Sequence, residues 1–166
     1  MDVEEFDSFY AASVGRLVGV LYTMTGDLCE AQDVVQEAFV RAWDRRGELD
    51  RSGHPEAWVR TVAWRLAVSR WRRTRRGAVA WVRHGPPPVV DPPGVDHVVL
   101  AAALRELPED QRRAVVLFHL CDLSVDQVAR ETGAPPGTVK ARLSRARAAL
   151  ARHLTVASAR EEVLGA

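Results

Sequence analysis

The stretch Ser124-Val125-Asp126-Gln127-Val128-Ala129-Arg130-Glu131-Thr132-Gly133-Ala134-Pro135-Pro136-Gly137-Thr138-Val139-Lys140-Ala141-Arg142-Leu143-Ser144-Arg145-Ala146-Arg147 spells two helices and the turn between them. Ser124 followed by Gln127 fits a capping box, in which each side chain satisfies the other residue's backbone N–H. Gly133 can end that first helix in the left-handed conformation, and Pro135-Pro136 makes the turn. A second helix is expected from about Gly137 to His153, with Val139, Leu143, Ala146 and Leu150 on its inner face. Its outward residues are Thr138, Lys140, Ala141, Arg142, Ser144, Arg145 and Arg147. This is a helix-turn-helix layout, and such a helix fits the major groove of DNA. Arginine there can bond guanine bidentately, while lysine and arginine near the helix ends hold phosphates. The first turn, with Gly137 and Thr138, presents free backbone N–H groups to a phosphate. The plainer alternative is a solvated basic face on an ordinary bundle; cap, turn and basic face together favour DNA.

Outward from this motif, Val98–Leu107 and Glu109–Cys121 read as two further helices, with Pro108 restarting the chain between them. Upstream, Gly77 to Asp96 contains Pro86, Pro87, Pro88, Pro92 and Pro93 with Gly77, Gly85 and Gly94. It cannot be a helix interior or a central strand, so it is expected to be a linker, semi-stiff where the prolines run. Residues 1–76 then form one unit and 97–154 a second, with 155–166 as a tail expected to fray. In the first unit apolar residues recur at helical spacing from Phe6 through Tyr10, Val14, Leu17 and Leu21. They recur again from Ala31 through Val34, Val35, Ala38, Phe39 and Ala42, and from Trp58 through Val62, Leu66 and Trp71. Pro55 suits the first position of that last helix. No run alternates as a strand does. The expected fold is all-α: two small helical domains joined by a Pro/Gly-rich linker, the second containing the helix-turn-helix.

Hydrophobic residues make up 47% of the 166, enough for packed cores. The longest apolar stretch, Ala114 to Leu120, is far too short to span a membrane. The acidic start Met1-Asp2-Val3-Glu4-Glu5 is unlike a signal peptide, so a cytoplasmic protein without membrane insertion is expected. Cys29 and Cys121 form no CxxC pair and read as reduced thiols. The net charge of +1 conceals a segregation. Residues 1–50 hold 11 acids and 4 arginines, residues 55–76 hold 7 arginines and 1 acid, and residues 124–153 hold 6 bases and 2 acids. An acidic end and two basic segments suggest one protein partner and two contacts with a polyanion.

The helix from Glu30 to Arg46 carries Glu30, Asp33, Gln36, Glu37 and Asp44 opposite its apolar face. Asp33 and Glu37 sit one turn apart on one side. A paired-carboxylate metal site would want a Glu-x-x-His partner motif, which the chain lacks. The face is either an acidic docking surface or simply solvated. In the Pro55 helix, Trp58, Trp64 and Trp71 interleave with Arg60, Arg65, Arg70, Arg72 and Arg73. That mixture suits single-stranded DNA, where bases stack on rings and arginines track phosphates. Alternatively the tryptophans are core and only the arginines reach DNA. The segment Gly47 to His54, expected to be a loop, could hold an extruded base.

Together these residues resemble the sigma-70 family, specifically its extracytoplasmic-function group. Leu107-Pro108-Glu109-Asp110-Gln111-Arg112, through Leu123-Ser124, to Gly137–Arg147 looks like that group's fourth domain. Ala31-Gln32-Asp33-Val34-Val35-Gln36-Glu37-Ala38-Phe39-Val40-Arg41-Ala42-Trp43 looks like the core-binding helix of its second domain. The resemblance implies that Asp33, Gln36 and Glu37 grip core RNA polymerase. It implies that His54, Trp58, Arg60, Arg65, Arg72 and Arg73 lie where promoter DNA is opened at the minus-ten element and its strand is held. It implies that Thr138, Lys140, Arg142, Ser144 and Arg145 read the double-stranded minus-thirty-five element, and that an anti-sigma factor is a further partner. Three residues depart from the group. Arg65 stands where asparagine is frequent, leaving minus-ten base preference open. Phe118 stands where arginine is frequent, removing one phosphate contact. Ala141 allows only an apolar contact, such as with a thymine methyl. No cofactor is expected, and no nucleophile elbow or phosphate loop marks an enzyme. The competing reading is a helix-turn-helix regulator that binds operator DNA without polymerase as obligate partner.

Overall fold

The computed structural model describes residues 1–75 and 95–164, and all the regular structure there is helical. The chain divides into two compact units, Met1–Pro93 and Gly94–Ala166. The linker expected over Gly77 to Asp96 lies outside the described residues except for its last two positions, Val95 and Asp96, which open a helix. Trp81 lies outside them as well.

In the first unit, α1 spans Val3–Thr25, α2 Leu28–Asp44, α3 Arg46–Ser52 and α4 Pro55–Arg75. Asp2 and Glu5 form a capping box on α1: the Glu5 N–H donates to Asp2 Oδ1 at 2.9 Å and the Asp2 N–H to Glu5 Oε2 at 2.8 Å. Asp27 caps α2 by accepting from the Glu30 N–H at 3.0 Å. The core is the meeting of α1, α2 and α4. Leu17, Leu21 and Met24 of α1 are fully buried, as are Ala31, Val34, Val35, Ala38 and Ala42 of α2 and Val59 and Ala63 of α4. Each large apolar side chain so buried contributes roughly 1.5–3 kcal/mol. At one end Phe6, Phe9, Tyr10, Phe39 and Trp43 pack together, the Phe9–Phe39 pair tilted and the other pairs edge to face, with Phe6–Trp43 centroids 5.1 Å apart and Tyr10–Phe39 4.8 Å apart. That is the orientation favoured by ring quadrupoles.

Most of Gly47–His54 is helix α3 rather than the loop expected from sequence. The N–H groups of Glu48 and Leu49 donate to the Arg45 carbonyl at 2.9 and 3.0 Å, so a new turn winds directly after α2 stops. The Leu49 side chain anchors it in the core. Only Gly53, at φ 69°, and His54 separate α3 from α4. A single apolar residue among charges gives no periodic signal, which is why the turn is invisible in the sequence.

In the second unit, α5 spans Val95–Arg105, α6 Glu109–Val115, α7 Val125–Thr132 and α8 Pro136–Leu164. The expected single helix to Cys121 holds until Val115 and then widens into a π-helical turn, Val116–Leu120. Its bond runs from the Cys121 N–H to the Val116 carbonyl at 3.2 Å. The core joins Ala101 and Leu104 of α5, Ala114 of α6, Val116 and Leu117 of the π turn, Val128 of α7, and Val139, Leu143 and Ala146 of α8. The backbone of α8 stays helical through Thr155–Leu164, where fraying was expected. That segment has no proline or glycine before Gly165, and Ala157, Ala159, Arg160, Glu161, Glu162 and Leu164 are good helix formers.

Candidate functional site

The helix-turn-helix forms as its local chemistry dictates. Ser124 and Gln127 make both bonds of the capping box, at 3.3 and 2.8 Å. Gly133 ends α7 at φ 68°, and the Ala134 N–H closes the last turn on the Ala129 carbonyl at 3.1 Å. Arg113 of α6 donates to the Glu131 carbonyl at 3.2 Å, placing a cation against the C-terminal end of α7. Pro136 opens α8, one residue earlier than expected.

Burial of Val139, Leu143 and Ala146 fixes which side of α8 faces outward. At about 100° per residue, Ala141 lies mid-face, with Thr138 and Arg145 on one flank and Lys140, Ser144 and Arg147 on the other. All but half-buried Ala141 are exposed. Arg142 is set apart: it borders the buried stripe, and its Nε donates to Asp110 Oδ2 on α6 at 2.9 Å. The structure thus gathers Thr138, Lys140, Ser144 and Arg145 on one open surface and turns Arg142 toward α6. On the Lys140 flank, the Arg147 guanidinium lies 5.9 Å from the centroid of the Phe118 ring.

On α2, Glu30, Asp33, Gln36 and Glu37 are half-buried and Asp44 is exposed. Val40, 60% exposed, stands among them as an apolar centre that the sequence reading passed over. Glu37 is occupied at both oxygens: Arg41 donates to Oε1 at 2.5 Å and Arg70 of α4 to Oε2 at 2.6 Å. Burial raises the Glu30 pKa above its ordinary value; Asp27 and Asp33 push the same way, and Arg70 offsets them in part.

On α4, Trp58 is half-buried and Arg65, Arg72 and Arg73 are exposed along the same side of the helix, with His54 exposed just before it. Arg73 also reaches back to Ser69, with Nη2 3.3 Å from Oγ. The tryptophans divide: Trp64 is core, whereas Trp71 is 49% exposed. Arg60 departs from the expected surface role. Its position falls beside Ala63 and Trp64 on the inner face, leaving it 5% exposed, and it approaches Glu56 one turn earlier at 4.0 Å. Glu56 is in turn gripped by Arg16 of α1 through two bonds of 3.0 and 2.5 Å. Arg60 is therefore a buried cation of the packing, held beside its counter-charge. Among the described residues no group of His, Cys, Asp or Glu could hold a metal ion, and no helix is long and apolar enough to cross a membrane.

Comparison with known proteins matches residues 9–77 to Sigma-70 region 2 and residues 97–150 to Sigma-70, region 4. The chain is 32% identical over 127 residues to the ECF RNA polymerase sigma factor SigL of Mycobacterium tuberculosis, covering 72% of each. It is 26% identical over 155 residues to the ECF RNA polymerase sigma factor SigW of Bacillus subtilis, covering 84% of this chain and 83% of the relative. The sigma factor RpoE of Bartonella quintana, solved in complex with the anti-sigma factor NepR, superposes with a TM-score of 0.76 at 25% identity, over 93% of this chain and 99% of that one. A region-2 unit with an acidic α2 and an arginine-rich α4, and a region-4 unit with an open basic helix, together mean that the chain belongs to the extracytoplasmic-function group of sigma-70 factors, which direct the promoter-specific initiation of transcription.

Proposed function

We propose a division of labour in which residues 1–76 bind core RNA polymerase and open the minus-ten element, and residues 97–154 read the minus-thirty-five element. The observation that carries it is the pairing, in one chain, of an acidic helix with two separate arginine-bearing surfaces. On α2, Asp33 and Gln36 meet the polymerase around exposed Val40, and Glu37 contributes from its place between two arginines. On α4, Trp58, Arg65, Arg72 and Arg73 hold the opened strand, with His54 at the entry; Arg60 supports this surface from within. On α8, Thr138, Lys140, Ser144 and Arg145 face the major groove, and Arg142 joins them at its border.

Neither DNA surface needs high affinity alone. A shared polymerase raises the effective concentration of each for the other. The chain is an adaptor rather than an enzyme and works in the cytoplasm, where polymerase and chromosome meet. By likeness to the Bartonella quintana complex, an anti-sigma factor is a further partner. An operator-binding regulator would need only the C-terminal unit, and the region-2 match argues against it.

Run-off transcription with core polymerase tests the reading. Lys140→Glu or Arg145→Glu should abolish promoter-directed transcripts while polymerase binding persists. Failure of the wild-type chain to associate with core polymerase would overturn it.

A further inference from the structure

We propose that Phe118 and Arg147 together form an additional phosphate-binding point at the end of the minus-thirty-five surface, with the ring holding the guanidinium in place for a DNA phosphodiester. The inference rests on the reading of α8 as the DNA-contacting helix.

Three observations lead to it. Lys140, Ser144 and Arg147 follow one another at intervals of four and three residues, so they form a continuous stripe along one flank of α8, and all three are exposed. Phe118 is half-buried in the π turn that follows α6. The Arg147 guanidinium carbon lies 5.9 Å from the Phe118 centroid, within the range of about 6 Å in which a cation is attracted to a ring face.

An exposed arginine on a helix ordinarily samples many rotamers, and fixing one for a phosphate costs conformational entropy. A ring beneath the guanidinium restricts that freedom before DNA arrives. A ring attracts the guanidinium's charge without using a hydrogen-bond acceptor, so its N–H groups stay available, and a phosphate oxygen is the acceptor DNA offers at a groove edge. Phe118 therefore does not simply delete a phosphate contact from α6. Its ring instead serves the charge that Arg147 carries on α8. Phe118 is a positioning residue and Arg147 the contact.

The test measures the affinity of holoenzyme, assembled from the full chain and core polymerase, for a promoter duplex mapped by run-off transcription, across a salt series. Arg147→Ala should lower the slope of log affinity against log salt by about 0.9, the value of one phosphate contact. Phe118→Leu keeps apolar bulk and removes the ring face; it should weaken binding about two- to five-fold. Phe118→Trp should restore it, because a larger ring still carries the cation. In the double variant Phe118→Leu/Arg147→Ala the loss should equal that of Arg147→Ala alone. An unchanged slope in Arg147→Ala, or fully additive losses in the double variant, would overturn the proposal. So would an equal fall in slope for Arg105→Ala, an exposed arginine of α5 that removes the same charge. Wild-type holoenzyme that binds no promoter at all would instead sink the reading of α8 itself, and this inference with it.

Discussion

Arg142 of α8 and Asp110 of α6 are joined by an ion pair of 2.9 Å, so the helix that carries the DNA-facing residues is tied to the helix behind it. Asp110 is half open to solvent, so the pair contributes little to global stability, about 0–1 kcal/mol. Its effect is on the pitch of α8. Asp110→Ala should leave thermal unfolding nearly unchanged yet weaken promoter-directed transcription. The swap Asp110→Arg/Arg142→Asp should recover part of that activity. A swap variant no better than either single variant, in run-off assays, would mean that the tie to Asp110 does not matter to transcription and that Arg142 acts only at the border of the groove surface.

The acids of α2 should not respond alike. Glu37 is held by Arg41 and Arg70, so Glu37→Arg sets three cations together and removes the tie between α2 and α4. It should lower the melting temperature of the first unit as well as polymerase binding. Asp33→Arg should abolish co-purification with core polymerase while the melting temperature holds. Equal loss of folding in both variants, by circular dichroism, would contradict the distinction.

Arg60 was expected among the DNA contacts, and its burial predicts a different phenotype. Arg60→Ala leaves a cavity and strips Glu56 of a neighbouring cation inside the helix packing. Glu56 keeps its two bonds to Arg16, so the loss is chiefly that of the buried Arg60 side chain's packing and destabilises by about 1–3 kcal/mol, visible in chemical denaturation. Arg65→Ala, at an exposed site, should leave stability within about 0.5 kcal/mol of wild type and alter open-complex formation, read by permanganate footprinting.

Glu30 gives a pH dependence with a defined sign. Its folded pKa is raised, first by burial and then by Asp27 and Asp33. The folded state therefore holds that proton more tightly than the unfolded state. The associated stability is fully present below the ordinary carboxylate value of 4.5 and is lost as pH rises through the higher folded pKa. At pH 7 the charged carboxylate is a liability, so Glu30→Gln should raise the melting temperature there and flatten its change just above pH 4.5. A melting temperature unchanged at pH 7 would show that the carboxylate is well solvated.

The turn chemistry of the C-terminal unit was legible without coordinates. Ser124 with Gln127, Gly133 and Pro136 act on groups within a few residues of themselves, so chain order alone determined the cap, the stop and the restart. The same holds for the helical stripes of α2 and α8, because side chains a turn apart share a face in any α-helix. Tertiary structure alone decided which charges stay available. Arg60 and Arg65 look equivalent in sequence, yet one lies against Ala63 and Trp64 and the other in solvent. Trp64 and Trp71 part company in the same way. The ties Glu37–Arg70, Arg16–Glu56 and Asp110–Arg142 join residues far apart in the chain. Local spacing fixes the angle of a side chain around its own helix, but its partner depends on how one helix is laid against the next, and that follows only from packing the whole core.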